Sequence, residues 1–315
     1  INVVNHCRRK TVVLYLLVIV GLILFRTSTV HGGSLDRSRR FSSKQLRCLA
    51  RMYMAYGRYD KARPLAEKAL AQARRENAAE TEWALCLTDL AVLYQHQNRL
   101  GEAENLCSLG LDLQEKALPR NHPHLAQTWR ILAGIYQKQG RYEKARIALG
   151  QAQAILQSHH GPDHISLAPV QVDSARLMRL QGNYLQAQRL YEAALVRIAE
   201  HYGSGHPYTA RVRAELAELY LQQRKYHRAE GLIDQALAVY VRLHRQAGYL
   251  LAPVWLTKAQ ICQARGDFER AELLVRQALQ AVEEVPGSAA AARVRQRARQ
   301  IRAAGRIPAV RSGLD

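Results

Sequence analysis

The sequence predicts an all-α protein: a right-handed superhelical solenoid of about six helix pairs with a C-terminal capping helix, preceded by one N-terminal hydrophobic helix. Two observations predict the solenoid, namely an alanine that recurs every 42 residues and a second alanine series that runs ahead of it. One uninterrupted apolar run near the N-terminus predicts the additional helix. A fixed period of this length is typical of solenoids, in which each unit contacts only its neighbours.

Two series of residues carry this period. One places an alanine at the end of blocks such as residues 140–145, GRYEKA, and the other places an alanine after leucine, as in Leu132-Ala133. Each series is spaced by 41 residues once and by 42 residues four times, which predicts six copies of one structural unit. The alanines are Ala50, Ala91, Ala133, Ala175, Ala217 and Ala259 in the leading series and Ala62, Ala103, Ala145, Ala187, Ala229 and Ala271 in the other.

Each unit is predicted to contain two amphipathic helices around a short turn. In the third unit, Leu132, Ile135 and Tyr136 lie at helical spacing ahead of Gly140. Glycine is expected to end the first helix because it tolerates a left-handed backbone. Ala145 is expected where the two helices cross, since a small side chain lets the helix axes approach closely.

These residues resemble the tetratricopeptide repeat, and the 42-residue period with its linker is similar to the kinesin light chain type. The linker signature is a histidine in residues 121–123, NHP, 163–165, DHI, and 205–207, GHP. The resemblance covers about residues 41–288 and implies a scaffold that binds proteins. A membrane signal, rather than a heptad segment, precedes the repeats, which argues against a true motor light chain.

The N-terminus predicts a membrane location. Residues 1–10 form a basic region, and residues 11–25 are apolar throughout. As a helix this run is about 22 Å long, short of a roughly 30 Å hydrocarbon core. It therefore fits a short transmembrane anchor with a single N-terminal pass, or a signal-peptide core that is cleaved from a secreted or periplasmic protein. A buried core helix is the least favoured reading, and residues 26–40 are expected to be a flexible basic linker.

The C-terminus predicts a cap. Residues 289–305 are rich in alanine and arginine with apolar residues on one face, which is expected to cover the open end of the last unit, and residues 306–315 form a tail. The formal net charge is +20, concentrated at the two ends of the chain. A binder of nucleic acid or anionic lipid through these basic ends is therefore the alternative to a protein scaffold. Because the repeats are nearly balanced in charge, nucleic acid is not the expected partner.

The sequence gives no sign of catalysis. It contains no phosphate-binding glycine loop, no serine nucleophile elbow and no zinc-protease histidine pair. His159, His160 and His164 could suggest a metal, but His164 is already explained as the linker histidine. Cys48, Cys86, Cys107 and Cys262 lie within repeat helices and are expected to be packed free thiols. The sequence therefore predicts no enzyme activity, no metal, no cofactor and no small-molecule ligand.

The paired helices offer a concave groove lined by the first helices, suited to a peptide or a helix of a partner protein. Residues offset from the packed face are expected to line it, and six of them are expected to form one alternating charged strip: Arg130, Asp173, Arg176, Arg179, Arg211 and Glu215. The alternative is internal pairing, for example of Arg176 with Glu215 and of Arg211 with Asp173. The predicted groove residues are Thr88, Asp89, Arg130, Asp173, Arg176, Arg179, Arg211, Glu215 and Glu218.

Overall fold

The computed structural model describes residues 41–55, 58–243, 248–283 and 289–304. The chain divides into two units, residues 1–41 and 42–315, and every described helix belongs to the second unit. The described residues form thirteen α-helices and one short 3-10 helix, without a strand. The helices are α1 (Ser43–Ala55), α2 (Tyr59–Arg75), α3 (Glu80–His96), α4 (Leu100–Ala117), α5 (Pro123–Lys138), α6 (Tyr142–His160), the 3-10 helix (Ile165–Leu167), α7 (Ala168–Leu180), α8 (Tyr184–Tyr202), α9 (Pro207–Gln222), α10 (Tyr226–Leu243), α11 (Gly248–Ala264), α12 (Phe268–Glu283) and α13 (Ala289–Ala304).

The helices pack as six consecutive pairs, α1 with α2 through α11 with α12. The second helix of each pair also contacts the first helix of the next pair, which builds a solenoid. First helices contact the first helices of neighbouring units, as α3 does with α5 and α5 does with α7. The final helix, α13, packs on both α11 and α12. The predicted fold, six helix pairs followed by a capping helix, is confirmed.

The recurring alanines lie where the helices cross. Every alanine of the two series is at most 2% exposed. In the third unit Ala145 packs in a cluster with Ala133 and Leu149, against Trp129 and Tyr136. A larger side chain at this position would have to push the two helices apart, because interiors are close-packed. The period of the sequence is thus the period of the closest helix contacts.

The turns within units require a left-handed backbone at one position. Gly140, Gly182 and Gly266 have φ angles of 74°, 80° and 86° at this place. The second and fifth units place Asn98 and Arg224 there instead, with φ angles of 63° and 59°. A side chain in this conformation costs roughly 1–2 kcal/mol, and asparagine tolerates it better than arginine does. Arg224 is therefore a strained residue in an otherwise regular turn.

Replacing Arg224 with glycine is expected to stabilise the protein by about 0.5–1 kcal/mol, because glycine adopts the left-handed conformation without steric cost. Urea unfolding measures the change. The neighbouring Lys225→Gly is the control, and it should destabilise the protein, since glycine adds only chain entropy to the unfolded state. Equal destabilisation by both changes would show that Arg224 is not strained.

The predicted location of the chain needs correction. None of the helices in the described ranges is both long and apolar enough to cross a bilayer. The apolar run 11–25, on which the expected single N-terminal pass rests, lies outside the described residues, as do residues 26–40 and 306–315. The single-pass membrane location is therefore not supported and forms no part of the function proposed below.

The expected packing of the cysteines also needs one correction. Cys86, Cys107 and Cys262 are buried free thiols, and burial raises the pKa of Cys86 and of Cys107 to about 12. Cys48, by contrast, is exposed on α1. It directly follows Arg47, whose side chain turns inward toward α3, and the next side chain along a helix points about 100° away.

Candidate partner-binding groove

Four side chains from three successive first helices form a continuous chain of ion pairs. Arg130 Nε of α5 donates to Asp173 Oδ2 of α7 at 2.7 Å, and Arg176 Nη1 donates to Asp173 Oδ1 at 2.9 Å. Arg176 Nη2 then donates to both carboxylate oxygens of Glu215 on α9, each at 2.8 Å. Positive and negative groups alternate across the three helices as one strip rather than as two separate patches.

A second row of charges runs beside the first and reaches the capping helix. Arg179 Nη1 on α7 lies 3.7 Å from Glu218 Oε2 on α9. Glu218 Oε1 accepts from Arg297 Nη1 of α13 at 3.0 Å and from Thr257 Oγ1 of α11 at 3.1 Å. Because Thr257 is short, the long side chain of Arg297 reaches over α11 to α9. We call the two rows together the charged strip: Arg130, Asp173, Arg176, Arg179, Glu215, Glu218 and Arg297.

Electrostatics keep the Arg176 guanidinium at the centre of the strip ionised. Burial alone would lower the pKa of Arg176, but the carboxylates of Glu215 and Asp173 outweigh burial and raise it. Tyr191 of α8 donates its hydroxyl hydrogen to Glu215 Oε2 at 3.3 Å, and burial and then the Glu215 charge raise the pKa of Tyr191. Arg176 therefore stays charged, and Glu215 is fixed from two sides.

The strip holds donors that its own carboxylates do not use. A guanidinium carries five N–H groups in a rigid fork. Arg130 donates one of them within the strip, and the Nε of Arg179 is buried without a hydrogen-bond partner among the described residues. Because the Nε of Arg179 is itself buried, the donors that a ligand can reach are the unused N–H groups of Arg130, whose side chain is 36% exposed.

Two predicted groove residues lie elsewhere. Thr88 is buried against α4, where its methyl group comes within 3.1 Å of the point a β-carbon on Gly110 would occupy, and its hydroxyl donates to the Leu85 carbonyl. Asp89 accepts from Arg47 Nε at 2.9 Å in a buried cluster between α1 and α3. We therefore exclude Thr88 and Asp89 from the charged strip.

The cluster around Arg47 is a separate structural feature. Arg47 Nη1 also donates to Glu82 at 2.9 Å, and the three side chains are each only 10% exposed. Burial raises the pKa of Asp89, and the nearby Arg47 opposes that rise. One arginine thus neutralises two buried carboxylates on α3.

The internal pairings considered from the sequence are realised only in part. Arg176 does pair with Glu215. Arg211 does not pair with Asp173, whose two oxygens are taken by Arg130 and Arg176. Instead Arg211 is exposed, and its guanidinium lies 4.8 Å from the centre of the Tyr208 ring. Arg211 therefore extends the same surface as an exposed cation at the start of α9.

Sequence reasoning missed Arg297 and Arg47. Arg297 lies on the cap, where the 42-residue period gives no register, and nothing in the sequence marks its reach to Glu218. Arg47 lies three residues before the packed alanine of its unit, as Arg130 does. This shared repeat position could have identified Arg47 as a residue that pairs with the next first helix. In the described part of the chain, no group of three or more histidine, cysteine or carboxylate side chains is placed to hold a metal.

Comparison with known proteins agrees with this architecture. The sequence profile of the tetratricopeptide repeat matches residues 43–116, 124–195 and 166–241. The chain is similar to BtubC (BKLC) from P. vanneervenii, at 21% identity over 79% of this chain and 94% of that one, with a TM-score of 0.57. It is similar to a Rap protein complexed with Competence and Sporulation Factor, at 16% identity over 85% of this chain and 77% of that one, with a TM-score of 0.63.

A protein from Podosopora anserina, designated a kinesin light chain with nearly identical TPR-like repeats, is 27% identical over 64% of this chain and 97% of that one, with a TM-score of 0.47. A search of curated protein sequences finds no significant match. The repeat profile matches more than half of the residues. The helix pairs, the crossing alanines and the glycine turns are the features expected of this repeat. The chain belongs to the tetratricopeptide repeat family.

Proposed function

We propose that the protein is a non-catalytic protein-interaction scaffold that binds a peptide or helix of a partner protein along the charged strip. The observation that carries this proposal is the strip itself, which spans three successive first helices and reaches the cap. Such a surface fits a partner segment several residues long, since each helix can contact a different part of the segment.

The chemistry of the strip favours hydrogen-bond acceptors on the partner. Its carboxylates are already held by protein donors, whereas the partly exposed Arg130 donates only through its Nε within the strip. Exposed Arg211 adds a further cation at its edge. Guanidinium groups recognise carboxylates in a bidentate manner and also bind backbone carbonyls. A partner segment of mixed charge can therefore place its acceptors on the arginines.

The family supports a scaffold rather than an enzyme, since these repeats serve as binding surfaces in many settings. The similar Rap protein is complexed with Competence and Sporulation Factor, which gives one example of this fold engaging a ligand. The alternative, binding of nucleic acid or lipid, needs free arginines on the cap. Two of the cap arginines are instead engaged within the protein. Arg297 is engaged in the strip, and Arg302 donates twice to Glu272 of α12.

The proposal is tested with the double variant Arg176→Ala and Arg179→Ala in the full chain. Proteins retained by the wild-type and variant chains are compared by quantitative mass spectrometry. The groove partner should be retained about tenfold less by the variant, because two anchoring guanidinium groups are lost. Asp173 and Glu215 are mostly buried, so the variant should also lose about 1–3 kcal/mol of stability, more than an exposed pair would cost.

Two further variants separate binding from folding. Arg63→Ala with Arg146→Ala removes the same charge from exposed pairs on the second helices α2 and α6, and it should retain the partner. Arg211→Ala removes an exposed groove cation with little cost to folding, and it should still weaken retention. If the partner is retained equally by all three variants, the binding surface lies elsewhere on the protein.

A further inference from the structure

Three helix starts in the middle of the solenoid share an uncommon cap. His122 precedes α5, His164 precedes the 3-10 helix that leads into α7, and His206 precedes α9. In each case the ring Nδ1 accepts the backbone N–H two residues ahead, at 3.2, 3.2 and 3.1 Å. Side-chain acceptors at this position satisfy one of the amides that a helix start leaves unpaired.

A histidine cap works only while Nδ1 is unprotonated. Protonation converts Nδ1 from an acceptor into a donor, so the bond to the backbone amide is lost. It also places a positive charge at a helix N-terminus, where the helix dipole disfavours cations. Both effects act in the same direction, and both are absent from serine, threonine or asparagine caps, which do not titrate.

We call the turn that holds each capping histidine the joint before its helix. Of the three joints, the one before α7 contains the most titratable groups. His164 stacks on His160 with ring centroids 4.3 Å apart, and His159 contacts His160 edge-on at 4.4 Å. Burial lowers the pKa of His160, and the neighbouring His164 and His159 lower it further. The cleft beside His164 is lined by Asp163, Ile165, Arg197, Glu200 and His201, with Arg197 paired to Asp163 at 3.4 Å.

The joint before α9 repeats this arrangement with tyrosine in place of histidine. The ring of His206 stacks on the ring of Tyr202, with centroids 4.7 Å apart. His201 and Tyr208 both lie edge-on to Tyr202, Tyr208 with its ring centroid 6.1 Å away. Burial lowers the pKa of His206. Two arginines donate to backbone carbonyls of this joint. Arg213 donates to the Ser204 carbonyl at 2.7 Å, and Arg242 donates to the Gly205 carbonyl at 3.5 Å. A proton on His206 is thus added to an already cationic surrounding.

The joint before α5 is simpler. The ring of His122 meets the ring of His124 edge-on at 4.7 Å. Burial, then His122, and then Arg47 and Arg51 lower the pKa of His124, with Glu82 opposing them.

We propose that the joints before α5, α7 and α9 are a pH-responsive set that loosens when the capping histidines are protonated. The same three helices carry the ion pairs of the charged strip, so their register depends on these joints. Loosening would reduce partner binding on acidification, a consequence that rests on the proposed function. The loosening of the joints does not depend on any partner.

The direction of the pH effect on stability follows from the change in proton binding on folding. Histidine in an unfolded chain has a pKa of about 6.5, and burial lowers the pKa of His206 in the fold. The stabilisation is therefore complete above that pH and is lost as the pH falls below it. The joint before α3 provides an internal control, because Ala79 begins that helix without any side-chain cap.

The test is amide hydrogen exchange of the full chain at about pH 7.5 and about pH 5, with intrinsic rates corrected for pH. Protection at the starts of α5, α7 and α9 should fall by about fivefold per lost cap at the lower pH, whereas the start of α3 should not change. The triple variant His122→Asn, His164→Asn and His206→Asn keeps capping side chains that do not titrate. It should lose the pH response at all three joints.

Two results would overturn the proposal. One is equal pH dependence at the histidine joints and at the start of α3. The other is an unchanged response in the asparagine variant, which would assign the effect to His160, His201 or another neighbouring group. The three single variants give the same comparison joint by joint if the triple variant folds poorly. Because no partner is present, failure of this proposal leaves the proposed function intact.

Discussion

The variant Arg47→Ala is expected to lose about 3–5 kcal/mol of stability, because it leaves two buried carboxylates without a cation. Arg47 donates to Asp89 and to Glu82, and all three side chains are 10% exposed. Urea unfolding at neutral pH measures the loss. The matched control is Arg99→Ala, which removes an exposed pair with Glu102 and should cost no more than about 1 kcal/mol.

The pH dependence of the same variant provides a second check. Burial already raises the pKa of Asp89, and loss of Arg47 removes the stronger of the two cations that oppose this rise, leaving Arg51. Asp89 should therefore be protonated at a higher pH in the variant, and a neutral carboxyl needs no cation. The stability difference between the variant and the wild type should shrink as the pH falls toward 4. A difference that stays constant with pH would mean that lost packing, not charge, causes the destabilisation.

The variant Ala145→Leu is expected to lose about 1–3 kcal/mol, because it overpacks the crossing of α5 and α6. Ala145 is completely buried in the cluster that contains Ala133 and Leu149. Thermal unfolding should show a lower Tm. The control, Ala154→Leu, places the same side chain on an exposed position of α6 and should be nearly neutral. An unchanged Tm for Ala145→Leu would contradict the assigned helix crossing.

The fold was predictable because one period determines both sequence and packing. Ala145 and its equivalents recur every 42 residues since every unit repeats the same close contact. Gly140 marks its turn because the left-handed backbone there favours glycine. Arg224 shows the limit of this signal, since the fifth unit keeps the conformation without the residue that prefers it.

The ion pairs of the charged strip were predictable only where the repeat register applies. Asp173 and Glu215 each lie two residues before the packed alanine of their unit, Arg130 lies three before and Arg176 one after, and the four side chains do lie together. Thr88 shows that the offset alone does not decide orientation, because its small side chain fits against Gly110 of α4. The bonds of Arg297 depend on the tilt of the cap and on the short side chain of Thr257, neither of which a period encodes.

Photo-crosslinking tests the central claim most directly, since it reports which surface a partner touches. A photoreactive phenylalanine derivative is placed at Arg211, the exposed groove cation of α9, and in a second chain at Ile147, which is 54% exposed on the second helix α6. We predict that the chain labelled at 211 crosslinks a partner protein, that the chain labelled at 147 does not, and that Arg176→Ala with Arg179→Ala weakens the crosslink about tenfold. The same partner crosslinked from 147 and not from 211 would contradict the assignment of the charged strip as the binding surface.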